Sequence, residues 1–302
     1  MRQKIQSCFR TINTEEEQYL NLITTTLSHG SLKHGRNGLV HSSIGASMRF
    51  SLKNGKLPLI TTKKVGWKTC LKELLWFIGG KTDNTLLKKQ NVNIWNDNAN
   101  RDFLNSRGLN NLKENDLGPV YGHQWRHFNA TYVNCKTDYK GKGVDQLQNI
   151  INFLKHPKEK YSRRILMSSW NPQQIDQMAL PPCHVLAQFC VTEDTKLSCI
   201  LYQRSSDIGL GLPFNIASYG FLTHLLAKHC NMEANELIHF IGDAHVYAEH
   251  VDILQQQVNR SPYLFPKLII NCKHDSINDY KINNFEVEDY IYHPTLKMAM
   301  RP

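Results

Sequence analysis

Long apolar runs are missing from this 302-residue sequence, and no stretch approaches the roughly 20 consecutive apolar residues that a membrane-spanning helix requires. That excludes a chain built around helical membrane spans. The opening residues, Met1 to Arg10, carry charge but no apolar h-region, so no secretory signal is expected. The cytoplasm is the expected location, with the nucleus compatible and no membrane partner. Cys-x-x-Cys is absent, and none of the eight cysteines stands with histidines at zinc-finger spacing, so no metal is expected. In a reducing compartment most of these thiols are expected to be small core residues. Basic runs stop at the pairs Lys63-Lys64, Lys88-Lys89 and Arg163-Arg164, which weakens a reading as a nucleic-acid-binding arm. Repeats and low-complexity segments are also lacking.

What is present is ordinary globular material, 41% hydrophobic and 21% charged, enough to bury a sizeable core. Lys and Arg number 36 against 26 Asp and Glu, a net charge of +10. A field of that sign attracts nucleic acid, membrane surfaces and small anions alike, so it selects no partner. RNA binding is compatible with it but not indicated.

Thr14 and Glu17 have the spacing of a capping box, and Leu20, Ile23 and Leu27 continue at helical intervals, which predicts a helix from Glu15 to Leu27. A second is expected from Val65, with Trp67, Cys70, Leu71, Leu74, Leu75 and Ile78 on one face and Gly79-Gly80 as its stop. A third carries Val144, Leu147, Ile151 and Leu154 and ends before Pro157. Residues 164–170, 184–193 and 196–205 pattern as strands, the last two as a hairpin turning at Glu193-Asp194. That turn sets Cys183 opposite Arg204, within one residue of register. Helices are expected from Phe214 to His229 and from Ala244 to Val258. The expected fold is a single α+β domain, a mixed β-sheet covered by helices, over residues 14–302. An N-terminal extension, residues 1–13, is expected to be poorly ordered.

Pro181-Pro182-Cys183-His184 is the first segment suited to chemistry. Its prolines fix the backbone at the start of a strand and hold the next side chain at a sheet edge. A guanidinium from Arg204 across the ladder would favour the thiolate of Cys183, the nucleophilic form. Successive strand residues point to opposite faces, so His184 faces away from Cys183 and cannot be its base. A Cys-His hydrolase loses its support there.

Gln203-Arg-Ser-Ser-Asp-Ile-Gly-Leu-Gly-Leu-Pro-Phe-Asn215 follows directly. With Leu180-Pro-Pro-Cys-His184, Tyr121-Gly-His-Gln-Trp-Arg-His-Phe128, Gly242-Asp-Ala-His-Val-Tyr247 and His293-Pro-Thr-Leu-Lys-Met298, the chain resembles the thymidylate synthases. The likeness runs from Glu15 to the C-terminus in the family's order.

The resemblance implies a thymidylate synthase-like fold that dimerises through its sheet. It also implies reductive methylation of dUMP to dTMP, with 5,10-methylenetetrahydrofolate donating the one-carbon unit and the hydride and leaving as dihydrofolate. Cys183 would add to C6 of the uracil ring, splitting one difficult step into easier ones. Arg204 and Ser205 would hold the phosphate with Arg36, and with Arg163 and Arg164 donated by the other subunit of a homodimer. Asn215 would accept from N3-H and donate to O4, Asp207 would belong to the same substrate site, and His245 and Tyr247 would bind the 3'-hydroxyl. Glu73 would organise proton transfers at the base, on a helix whose apolar face could raise its pKa. Tyr121 would help remove the C5 proton. The folate would meet Ile94, Trp95, Asn98, Asp207, Leu210, Gly211, Phe214 and Met300.

The sequence departs from the family in three places. Arg36-Asn-Gly-Leu-Val-His41 stands where Arg-Thr-Gly-Thr-Gly-Thr is usual, Gly66 replaces a bulky aromatic over the folate, and the chain ends Met300-Arg301-Pro302. Two rival readings remain at this level: hydroxymethylation of dCMP on the same fold, and an RNA-binding protein with an idle site. Intact Cys183, Arg204, Asp207 and Asn215 argue against idleness, and the lack of aromatic-interleaved basic motifs argues against an RNA module.

Overall fold

The computed structural model describes residues 13–301, and its first helix begins at a polar cap. Asn13, and not Thr14, provides that cap, because its side-chain oxygen accepts from the Glu16 backbone N–H at 3.2 Å. Helix α1 (Thr14–His29) follows, with Tyr19, Leu20 and Ile23 buried. Of the expected extension, residues 1–12 lie outside the described residues.

A six-stranded sheet positions the site. Its strands are β1 (Ser31–Gly35), β2 (Gly38–Ser51), β3 (Leu166–Ser168), β4 (His184–Thr192), β5 (Lys196–Asp207) and β6 (Glu233–Tyr247), in the order β1-β2-β6-β5-β4-β3. Neighbours are antiparallel except for β5 and β6, which run parallel, so the sheet is mixed. A separate pair, β7 (Lys267–Ile270) and β8 (Phe285–Glu288), lies outside it. Strands β1 and β2 escaped the sequence reading, although Ile44, Ala46, Met48 and Phe50 alternate along β2 at strand period.

Around the sheet pack α2 (Trp67–Ile78), α3 (Asn84–Lys88), α4 (Asn96–Ala99), α5 (Arg101–Ser106), α6 (Tyr121–His127), α7 (Gln146–Lys155), α8 (Gly211–His229) and α9 (Val251–Val258). Helix α8 makes the parallel crossover from β5 to β6. It is buried on nearly all sides, as a helix between a sheet and a second helix layer must be. No helix among the described residues is long and apolar enough to cross a membrane.

The helix expected from Ala244 is a strand up to Tyr247. Ala244, Tyr247, Val251, Leu254 and Val258 recur at heptad spacing, a helical signal. Pairing of β6 with β2 and β5 on both sides overrides it, and the helix is confined to α9. Two further starts move slightly: α2 begins at Trp67 after Gly66, and α7 at Gln146, capped by Asp145, which leaves Val144 exposed outside it.

The β4–β5 hairpin carries two departures that cancel. Its loop has three residues, with Glu193 and Asp194 at φ 46° and 61°, and pairs Leu186 with Tyr202. Continued unchanged, that register would set Cys183 opposite Ser205. A bulge at Val185 returns His184 to Gln203, and the Arg204 backbone N–H donates to the Cys183 carbonyl at 2.9 Å. Cys183 thus meets Arg204 as the sequence suggests, although by another route.

Candidate active site

A cavity of about 420 Å³ opens where β5 and β6 end and β2 begins. Along β5 the buried set passes from Gln203 to Ser206, and along β6 from Ile241 to Ala244, so both strands change the face they bury at one level. Gly242 lies at that level, where a Cβ would stand only 2.8 Å from the Arg204 carbonyl oxygen. The change of face turns Asp243, His245 and Tyr247 of β6 towards the cavity with Arg204, Ser205 and Asp207 of β5.

Cys183 is held from two sides. Its backbone N–H donates to the Tyr121 hydroxyl at 2.7 Å, and Arg204 Nη2 approaches its sulfur at 3.8 Å. Arg204 is itself fixed, donating to Pro182 O at 2.8 Å and Pro181 O at 2.9 Å and lying over the Trp170 ring. This explains the two prolines: their rigid carbonyls hold the guanidinium that faces the thiol. Burial pushes the Cys183 thiol up, and Arg204 and Arg36 offset this only in part. Arg204 thus favours the thiolate as expected, although desolvation outweighs both cations.

His184 faces the other way, packed against Tyr121 and Tyr219 with ring centroids 5.1 and 5.3 Å away. Burial holds its imidazole down to about 4, so it is neutral. Tyr121 is buried, and desolvation, then the Cys183 thiol, raise its phenol.

Glu73 on α2 accepts from the Trp95 indole N–H at 2.7 Å. Burial raises its carboxyl to about 7. Asn215, near the start of α8, is not among the residues lining the cavity, and its Oδ1 accepts from Gln203 Nε2 at 2.8 Å. Asp207 accepts from the Gly209 backbone N–H at 2.8 Å, closing a tight turn into α8.

Arg36 and Asn37 form the two-residue tip of the β1–β2 hairpin, closed by the pair Gly35 and Gly38, and both reach the cavity. Arg163 and Arg164 are exposed beside the edge strand β3 and do not line this chain's cavity. Of the residues assigned to folate, Asn98 and Asp207 line it. Trp95 is buried in the core, Phe214 stands 3.9 Å from where a Cβ on Gly66 would lie, and Met300 is exposed in the C-terminal tail.

A family model described as thymidylate synthase matches residues 17–301. The chain belongs to the thymidylate synthase family. It is 49% identical over 298 residues to the thymidylate synthase of Saccharomyces cerevisiae, covering 95% of this chain and 97% of that protein. It is 50% identical over 291 residues to the bifunctional dihydrofolate reductase-thymidylate synthase of Leishmania major, covering 95% of this chain and 55% of that one. To the probable thymidylate synthase of Schizosaccharomyces pombe it is 50% identical over 302 residues, 95% of this chain and 48% of the relative. The chain therefore spans about half the length of several relatives and nearly all of the first named.

In this thymidylate synthase family member, sequence reasoning missed Lys33, Asn37, Arg107, Asp243 and Arg301 on the lining. Asp243 was within reach, for it is two residues from His245 and shares its side of a strand. Burial would raise Asp243, but Lys33 and the Ser42 hydroxyl, which donates at 2.7 Å, hold it below the usual range. Arg301 ties the tail down, donating to Glu249 at 2.8 Å, while His250 Nε2 lies 3.0 Å from Ala299 O.

Proposed function

We propose that this chain is a thymidylate synthase, converting dUMP to dTMP with 5,10-methylenetetrahydrofolate and releasing dihydrofolate. The observation that supports it most is one cavity in which Cys183 and Arg204 Nη2 stand 3.8 Å apart, with Arg36, Ser205, Asp207, His245 and Tyr247 around them.

In this reading Arg36, Arg204 and Ser205 take the phosphate, His245 and Tyr247 the 3'-hydroxyl, and Asn215 and Asp207 the base. Cys183 adds through sulfur to C6, and C5 becomes an enolate-like nucleophile. Arg204 offsets the cost of ionising a thiol that burial would otherwise keep protonated. Tyr121, which accepts from the Cys183 backbone N–H, would help move the C5 proton. A carboxyl near 7, as at Glu73, can give and take protons at neutral pH. The folate supplies the methylene carbon and the hydride when bound. The residues suit it, for Asn98 is buried on the lining and its Nδ2 has no protein partner, leaving a donor for a polar ring edge.

Dimerisation through the sheet belongs to the same proposal. Ile44, Tyr202, Phe240 and Leu166 are exposed on strands of the sheet, and Tyr202 pairs directly with Phe240. An apolar sheet face of this kind marks an interface. Arg163 and Arg164 beside β3 are then free to serve the other subunit's phosphate. Purified protein with dUMP and methylenetetrahydrofolate should form dihydrofolate and dTMP. Turnover of dCMP but not dUMP would overturn the reading.

A further inference from the structure

A second cavity, of about 490 Å³, lies at the turn of the β4–β5 hairpin, at the opposite end of that hairpin from Cys183. Its walls bring together Lys155 at the end of α7, Lys160 in the following turn and Lys273 beyond β7. Each ammonium has a close partner that carries no full charge. Lys155 Nζ lies 3.1 Å from His229 Nε2, Lys160 Nζ donates to the Asp194 backbone oxygen at 3.0 Å, and Lys273 Nζ donates to Asn231 Oδ1 at 2.6 Å. An ammonium has three donors, so each keeps hydrogens for another acceptor.

The lining has one carboxylate, Asp194, 3.7 Å from Lys160, 77% exposed and already accepting from the Tyr161 hydroxyl. His229 registers how closely the cations converge. Burial, then Lys155 and Lys273, hold its imidazole down to about 4, while Asp275, outside the lining, opposes them. Helices α7 and α8 end near this cavity, but a helix C-terminus carries only about half a negative charge. On the lining itself three lysines stand against one carboxylate, Asp194, with Asp275 outside it.

We propose that this cavity is a binding site for a phosphorylated ligand, with a polyphosphate chain across Lys155, Lys160 and Lys273 and an organic part on Leu154, Pro157 and Met232. Lysine suits phosphate as a mobile point charge, and the volume falls within the roughly 300 to 1,000 Å³ of small-molecule sites. Nothing in the proposed dUMP chemistry uses these residues, so the two sites stand or fall separately.

Calorimetric titration with tripolyphosphate and with ATP tests it, at low salt and with dUMP in saturating excess to fill the catalytic cavity. One tripolyphosphate per chain should bind, ATP should bind more tightly, and Lys155→Gln/Lys273→Gln should weaken both by about tenfold or more with turnover and circular dichroism unchanged. In the unaltered protein, tripolyphosphate should slow acetylation of Lys155, Lys160 and Lys273 but not of exposed Lys88. Absent binding, equal affinity in the double variant, or equal slowing at Lys88 would overturn the site. ATP binding no tighter than tripolyphosphate would overturn the seat for an organic part.

Discussion

Gln203 Nε2 donates to Asn215 Oδ1 at 2.8 Å, and this bond orients the Asn215 amide. Gln203 is itself oriented, because its Nε2 also donates to Ser205 O at 3.0 Å and its Oε1 lies 2.9 Å from His239 Nε2. His239 must therefore carry its proton on Nε2, and burial holds its imidazole down to about 3, so it stays neutral. The Asn215 amide, proposed to read the base, thus rests on a buried chain of hydrogen bonds.

Asn215→Asp follows from this chain. A carboxylate keeps the acceptor for Gln203 but loses the donor that uracil O4 requires, whereas cytosine presents an amino donor instead. Preference should move from dUMP towards dCMP, with kcat/KM for dUMP falling roughly 10- to 100-fold, the effect of about 1–3 kcal/mol for an unpaired buried group. Steady-state constants for both nucleotides check it. An unchanged ratio would separate Asn215 from base recognition.

Glu73 gives a pH dependence of defined sign. Its carboxyl is raised to about 7, so between the ordinary carboxylate range and neutrality the folded protein holds a proton that the unfolded chain has lost. The stability this contributes is present at acid pH and is lost as pH rises through about 7. Glu73→Gln retains the acceptor for Trp95 and removes the ionisation. Its Tm relative to the unaltered protein should therefore increase from pH 5 to pH 8, while turnover falls. Thermal unfolding across that range decides, and a difference that does not change with pH would contradict the raised carboxyl.

Arg163 and Arg164 lie away from their own chain's cavity, which makes subunit complementation informative. If the chain forms the proposed dimer, Cys183→Ala and Arg163→Ala/Arg164→Ala should each be inactive alone and recover activity when mixed under conditions that exchange subunits, since one of the two sites is then intact. Mixed dimers that form but remain inactive would place both arginines outside the partner's site.

The departures at Arg36 and Gly66 predict a graded effect. Arg36 occupies a two-residue hairpin tip, whereas Arg204 also anchors Pro181, Pro182 and the thiol. Arg204→Ala should therefore raise the KM for dUMP and lower kcat more than Arg36→Ala does. At Gly66, φ is −75° and an added Cβ meets Thr69 and Phe214 only at 3.7–3.9 Å, so a side chain is admitted. Gly66→Phe should tighten folate binding by part of the roughly 1.5–3 kcal/mol expected for full burial of an aromatic side chain. Equal damage from the two arginine variants, with a neutral or harmful Gly66→Phe, would contradict this.

How much was legible in the sequence follows from which forces decide each element. Helices α1, α2, α7 and α8 show in local periodicity, because one apolar stripe or an all-apolar surface is a short-range property. Strand β6 does not, since its heptad-like spacing is outvoted by two neighbouring strands distant in sequence. The Cys183–Arg204 pairing was legible, although the bulge at Val185 that secures it was not. Arg107 carries no local signal that separates it from any other arginine, and only the meeting of α5's end with the cavity reveals it.

Cys183 is proposed to make a covalent bond to C6 of a uracil nucleotide. A dUMP analogue with fluorine at C5 tests it most directly, because fluorine cannot leave as a cation and the adduct should stall after one-carbon transfer. Intact-mass measurement after incubation with this analogue and methylenetetrahydrofolate should show a gain of one nucleotide and one folate per chain. Peptide mapping should place both on the Cys183 peptide, and Cys183→Ser should show neither. No mass gain, or a gain mapped to another residue, would contradict the account.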